Sequence, residues 1–294
     1  MMPVQDNGAT TKLNQHEIIP LANDVGALGN RINKDTREAH NKIDKKITLK
    51  LALALRDAKI YRQGLQSFYH VFVAIEKSLY KQFENTDGEW TDILKKIWKP
   101  EVARREKAEQ DLLFYYDDDK SKFISPMLSE QIKFVEHIER VTTEKPYLLL
   151  AYMHVMYLAL FAGGRIMRSS ISKASGLFPQ KDGLKHEEIV KLGTNFFTFD
   201  VADENLLRII YKRDYEILTR NNLTEQQKLE IIEESKYIFQ QNNNCISEIE
   251  RHNIKRLTQK WSYIAITKGY YVLMFALVIL AIYYARRILL HLLY

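Results

Sequence analysis

The 294-residue chain is poor in the residues that interrupt regular structure, with 11 glycines and 6 prolines. So small a supply of turn formers argues against a turn-dense β architecture and favours long, seldom broken helices. The chain has one cysteine, Cys245. No intramolecular disulfide can form, nothing places the chain in an oxidising compartment, and Cys245 reads as a helical residue of no special chemistry. There is no GxxxxGK phosphate loop, no CxxC pair and no HExxH helix, which sets aside the enzyme classes built on those motifs. Residues 1 to 20 contain no continuous apolar stretch, so they form neither a secretory signal nor an initial membrane span. They are rich in Asn, Gln and Thr and read as a flexible leader ending at Pro20.

What is present is apolar and aromatic: 46% hydrophobic residues, including 17 Tyr and 13 Phe. This is enough for a sizeable core. The net charge is +6, and the basic residues are interleaved with acids along the chain, as in Arg37-Glu38 and Arg104-Arg105-Glu106-Lys107. That pattern is a solvated helical surface and not a nucleic-acid stripe, and the basic excess suits anionic ligands or anionic lipid.

Apolar spacing predicts one or two helices over 23–56 and a core helix from Tyr61 to Phe83, with Leu65, Phe68, Tyr69, Phe72, Ile75 and Leu79 on one face. Further helices are expected over 90–116, 129–141, from Pro146 to Ser175, over 205–219, and from Thr224 to Gln259. Thr224 and Gln227 have capping-box spacing, and Asn33 and Asp35 are candidate caps. No linker divides residues 21–265, so the expectation is a single all-α domain. After it, Tyr270 to Ala285 are apolar or aromatic without interruption, between Lys268 and Arg286-Arg287. A transmembrane anchor over 269–290 is expected, with a short lumenal tail at 291–294. Basic residues are denser before the stretch than after it, which keeps the main domain cytosolic, and the short span suits the endoplasmic reticulum.

Two features carry possible chemistry. His40 lies on a charged helix, where a histidine is more often a surface or satisfied core residue than a ligand. Gly163-Gly164 interrupts an apolar helix, and each glycine there costs about 1 kcal/mol relative to alanine. Either close helix packing or a bend exposing backbone to a flat ligand would justify the pair.

Five segments in order resemble the heme oxygenases: TREAHNKID around His40, YHVFVAIE from Tyr69 to Glu76, YLALFAGGR from Tyr157 to Arg165, Asn195-Phe-Phe-Thr-Phe199, and EESKYIF from Glu233 to Phe239 with Asn242 beyond. The resemblance covers about residues 22–255, and the C-terminal span resembles the tail anchor of eukaryotic members, fungal ones above all. It implies an all-α fold with heme between a proximal and a kinked distal helix. It implies His40 as the iron ligand, with Asp44 one turn later orienting the imidazole; the alternative for Asp44 is an exposed pair with Lys45. Arg37, Arg208 and Lys212 would meet the heme propionates, and Phe239 and Tyr157 would line the cofactor. Gly163 and Gly164 would let the distal helix kink over the ring, with His154, Tyr157 and Asn242 as polar candidates to order water. The activity implied is ring opening of heme by O2 to biliverdin, carbon monoxide and ferrous iron, with electrons from NADPH through a diflavin reductase, serving iron recovery. One departure stands out: many members carry Gly-Asp where this chain has Ala159-Leu160, and leucine cannot hold the waters that deliver protons. A noncatalytic, membrane-anchored heme sensor or reservoir is therefore the alternative, and a cofactor-free helical adaptor the third reading.

Overall fold

In the computed structural model, which describes residues 20, 24, 26–43, 54–55, 57–174, 176–259 and 261–293, no strand occurs among the described residues. The long core helix α2 (Ala58–Glu84) follows α1 (Leu28–Asp35) and a helical segment at 37–43. It starts at Asp57, whose carboxylate accepts from the Lys59 N–H at 3.1 Å, satisfying one of the donors a helix leaves open at its first turn. Leu65, Tyr69, Phe72, Ile75 and Leu79 are buried along its length, as their spacing predicts.

The single helix expected over 90–116 is instead two: α3 (Thr91–Ile97) and α4 (Arg105–Tyr115), separated by a 3-10 turn at Pro100–Val102. Pro100 lacks an N–H and pushes Lys99 into extended conformation (φ −124°, ψ 124°). Helix α5 (Ser129–Glu144) and α4 both pack on α2. The distal element follows Pro146 as α6 (Leu149–Tyr152), a π turn (Met153–Tyr157) and α7 (Leu158–Ser172). The Tyr215 and Tyr211 hydroxyls donate to the Leu150 and Met153 carbonyls, each at 3.0 Å, so donors from outside the element hold the backbone where the widened turn begins. The axis bends by 47° between 146–161 and 163–172, at the glycine pair.

Helix α8 (Glu204–Asn222) is capped by Asp203, which accepts from the Asn205 and Leu206 N–H groups. Helix α9 (Glu225–His252) opens with the expected capping box: the Thr224 N–H donates to Gln227 Oε1 at 2.9 Å, and the Gln227 N–H to Thr224 Oγ1 at 3.3 Å. Asn33 and Asp35 lie inside α1 and do not cap its start, which falls at Ala27.

The chain divides into two compact units between Glu248 and Ile249. In the second, Asn253 interrupts the helix expected to reach Gln259 by donating its side-chain amide to the Ile249 carbonyl at 2.8 Å. Helix α10 (Ile254–Thr258) and α11 (Trp261–Leu293) follow. Within α11, Lys268–Ile288 is the one helix among the described residues that by itself is long and apolar enough to cross a membrane. It has 21 residues of mean hydropathy 1.7, none of them buried; at 1.5 Å per residue this is about 30 Å, the thickness of a hydrocarbon core.

Candidate functional site

His40 sits on the 37–43 segment, its N–H donating to the Thr36 carbonyl at 2.8 Å. Its ring is exposed and meets Phe239 of α9 edge-on, with centroids 5.8 Å apart. Arg37, one turn earlier, is also exposed, and Asp44 lies outside the described residues. One turn after Phe239, the Asn242 amide donates to the Ile238 carbonyl at 2.9 Å and lies 3.5 Å from Met156 Sδ in the π turn. Through Phe239 and Asn242, α9 thus touches both the histidine segment and the distal element.

The two glycines differ in their surroundings. A Cβ on Gly163 would meet nothing within 4 Å, whereas one on Gly164 would lie 3.7 Å from the Phe197 carbonyl. At Gly164 that is ordinary van der Waals contact, which a methyl group would make without a clash, and Gly163 faces open space. The Asn195–Phe199 stretch supports the bend: Phe161 stacks on Phe199 with centroids 4.6 Å apart and planes 8° from parallel, and Arg168 donates to the Phe197 carbonyl at 3.3 Å.

Behind that stretch stands a polar frame that sequence reasoning missed. Asp111, fully buried, accepts from the Asn195 N–H (2.8 Å), the Asn195 amide (2.9 Å) and the Phe196 N–H (2.9 Å). Burial pushes its carboxyl up to about 7 in spite of those donors. Arg104, also fully buried, donates to the carbonyls of Glu101, Val102, Phe196 and Thr198, and burial lowers it to about 10. Glu76 accepts from the N–H groups of Arg104 (2.6 Å) and Arg105 (3.1 Å) and from the Tyr157 hydroxyl (3.2 Å). Its burial raises the carboxyl above the usual range. The one sequence clue was Glu76 itself, a carboxylate one turn after Phe72 on the apolar face of α2.

His154 is buried in the π turn and points toward α1. Its Nε2 lies 3.2 Å from Asn33 Oδ1, its ring would touch a Cβ on Gly29 at 3.0 Å, and its Nδ1 has no partner. Burial first, then the nearby Lys212 charge, hold its pKa down to about 3, so the imidazole is neutral at working pH.

Lys212 and Arg208 stand one turn apart on α8, both half-buried, and neither forms an ion pair among the described residues. The Arg208 Nε is buried without a partner, and burial together with Arg208 lowers the Lys212 pKa. Two adjacent, partly desolvated cations without a carboxylate are unfavourable unless an anion joins them. Leu160 is 9% exposed and belongs to the hydrophobic core, as does Met156; Ala159 is exposed. The distal element thus presents no carboxylate where the resemblance would place one.

Among the described residues no three His, Cys, Asp or Glu side chains converge to hold a metal ion. A single exposed imidazole, open space beside Gly163 and two unpaired cations fit a flat dianion that brings most of its metal's donors with it. The fold is all-helical among the described residues.

The family model for heme oxygenase matches residues 26–248, and the chain belongs to that family. It is 42% identical over 270 residues to the heme-binding protein HMX1 of Saccharomyces cerevisiae, covering 86% of this chain and 84% of that one. The heme oxygenase of Guillardia theta is 26% identical over 234 residues, covering 79% and 90%. Among solved structures, heme oxygenase-1 of Synechocystis in complex with heme superposes with a TM-score of 0.63 at 24% identity, covering 79% of this chain and 96% of that one. Heme oxygenase 2 of Chlamydomonas reinhardtii, solved without heme, gives 0.66 at 22% identity, covering 76% and 97%. These likenesses share the all-helical fold.

Proposed function

We propose that this protein is a membrane-anchored heme oxygenase that opens heme to biliverdin, carbon monoxide and ferrous iron. It would use O2 and electrons from an NADPH-dependent diflavin reductase at the endoplasmic reticulum, with its main domain in the cytosol. The observation that carries the reading is the Arg208–Lys212 pair, two half-buried cations with an orphaned guanidinium nitrogen, which suits the carboxylates of a porphyrin.

In this reading the exposed His40 imidazole binds iron as a neutral donor, oriented by Asp44, and Phe239 packs against the bound edge of its ring. Arg37 joins Arg208 and Lys212 in holding the carboxylates. Gly163 leaves room for the ring, and Gly164 lies beside the Phe197 carbonyl. When bound, heme supplies the iron that activates dioxygen and is itself the substrate. Of the polar candidates, the Tyr157 hydroxyl donates to Glu76, His154 Nε2 meets Asn33 and the Asn242 amide nitrogen donates to Ile238, so water would be ordered by the acceptor atoms these contacts leave over.

The burial of Leu160 in the core favours a second reading, a noncatalytic heme sensor or reservoir. Hemin titration of the full chain tests both. A Soret band that His40→Ala abolishes supports the heme site, and an unchanged band refutes His40 as ligand. Adding reductase and NADPH then separates the two: biliverdin and carbon monoxide support the enzyme, and their absence with the Soret band intact supports the binder.

A further inference from the structure

The family match ends at residue 248, the compact unit ends at Glu248, and the charge balance of the chain changes at the same place. Residues 249–294 hold seven of the chain's 43 Lys and Arg and one of its 37 Asp and Glu, Glu250. This segment therefore carries the entire net charge of +6, and residues 1–248 balance at 36 basic and 36 acidic. Five of the seven bases, Arg251, Lys255, Arg256, Lys260 and Lys268, lie ahead of the apolar stretch, and no acid occurs after Glu250. Arg251, Lys255, Arg256 and Lys268 are exposed.

We propose that residues 251–268 form a binding surface for anionic phospholipid headgroups in the leaflet where Lys268–Ile288 enters the bilayer. The proposal rests on reading that helix as a membrane span. Helix α11 begins at Trp261, seven residues before Lys268, so its first turn stands about 10 Å outside the hydrocarbon. That distance is close to the Debye length at physiological ionic strength, about 8 Å, so the basic residues nearest the span lie within reach of the surface potential. A charge-balanced domain adds no net field of its own to draw a polyanion such as RNA or an acidic protein. The basic segment, covalently continuous with the span, is held at the headgroups whatever the domain does. Each Lys or Arg near such a surface strengthens its association with anionic lipid about fivefold.

The test reconstitutes the full chain in phosphatidylcholine vesicles containing phosphatidylserine. It measures by electron spin resonance the motionally restricted fraction of spin-labelled phosphatidylserine against that of spin-labelled phosphatidylcholine. The expected result is a restricted fraction at least about threefold larger for phosphatidylserine. This preference should vanish in 1 M salt and in the variant Arg251→Gln, Lys255→Gln, Arg256→Gln, Lys260→Gln, Lys268→Gln, which still inserts and still binds hemin. Equal restriction of the two lipids by the wild-type chain overturns the proposal while leaving the span intact. No restricted lipid of either kind removes the span as well. A preference that persists in the variant, or a basic segment that binds RNA or an acidic protein with no phosphatidylserine preference, overturns it too.

Discussion

Gly163→Ala tests whether the open space beside that glycine is kept for a ligand, because it should move stability and binding in opposite directions. No heavy atom lies within 4 Å of the Cβ that alanine would add, and Gly163 has no left-handed φ. Without heme, the substitution removes the conformational cost of a mid-helix glycine and introduces no clash, a gain of about 0.5–1 kcal/mol. For a unit of this size that raises the apo melting temperature by about 1–4 °C. With heme, the methyl occupies space the ring would need, and displacing a well-fitted flat ligand by even a few tenths of an ångström costs about 1–3 kcal/mol, an about fivefold to 150-fold weaker hemin affinity. Thermal unfolding by circular dichroism, with and without hemin, and a Soret titration read both quantities on the same variant. The wild type should gain more thermal stability from hemin than the variant does, since ligand stabilisation scales with affinity. An apo variant that melts lower than the wild type, or one that binds hemin equally tightly, would refute the assignment of that space to a ligand.

Arg208→Gln combined with Lys212→Gln should leave apo stability unchanged or slightly higher, because two like charges one turn apart are removed, while hemin affinity drops by about tenfold or more; a Soret titration showing equal affinity contradicts the anion site. Arg104→Met strands four backbone carbonyls and should destabilise the fold by at least about 3 kcal/mol, lowering the melting temperature by about 6–12 °C; a shift under about 2 °C shows that the frame is dispensable. Asp111 has a folded pKa raised to about 7 from 3.8 by burial, so between those values the folded state keeps a proton that the unfolded chain has released. Stability should therefore fall as pH rises through that window, by up to about 4 kcal/mol, and level off above it. Asp111→Asn should flatten this part of the profile in urea unfolding, and a profile unchanged by the substitution counts against the buried proton.

The sequence by itself determined the helical class, the apolar stretch that became Lys268–Ile288, the capping box at Thr224 and Gln227, and the order of segments from His40 to Asn242. These features are local: periodicity, caps and hydropathy act within one or two turns of chain. Pro100 was visible in the sequence, yet the helix expected across it did not form, because extended conformation at the preceding residue outweighed an otherwise helical pattern. Only the tertiary structure decided which glycine of the pair faces open space, that His154 turns to Asn33 of α1, and that Arg104, Asp111 and Glu76 form one buried frame behind the distal bend. Those outcomes depend on groups 28 to 121 residues apart along the chain. A carboxylate's sequence neighbours say little about which distant N–H groups will meet it, and burial, which moves Asp111 and His154 so far from their ordinary pKa values, exists only once the helices have closed around them.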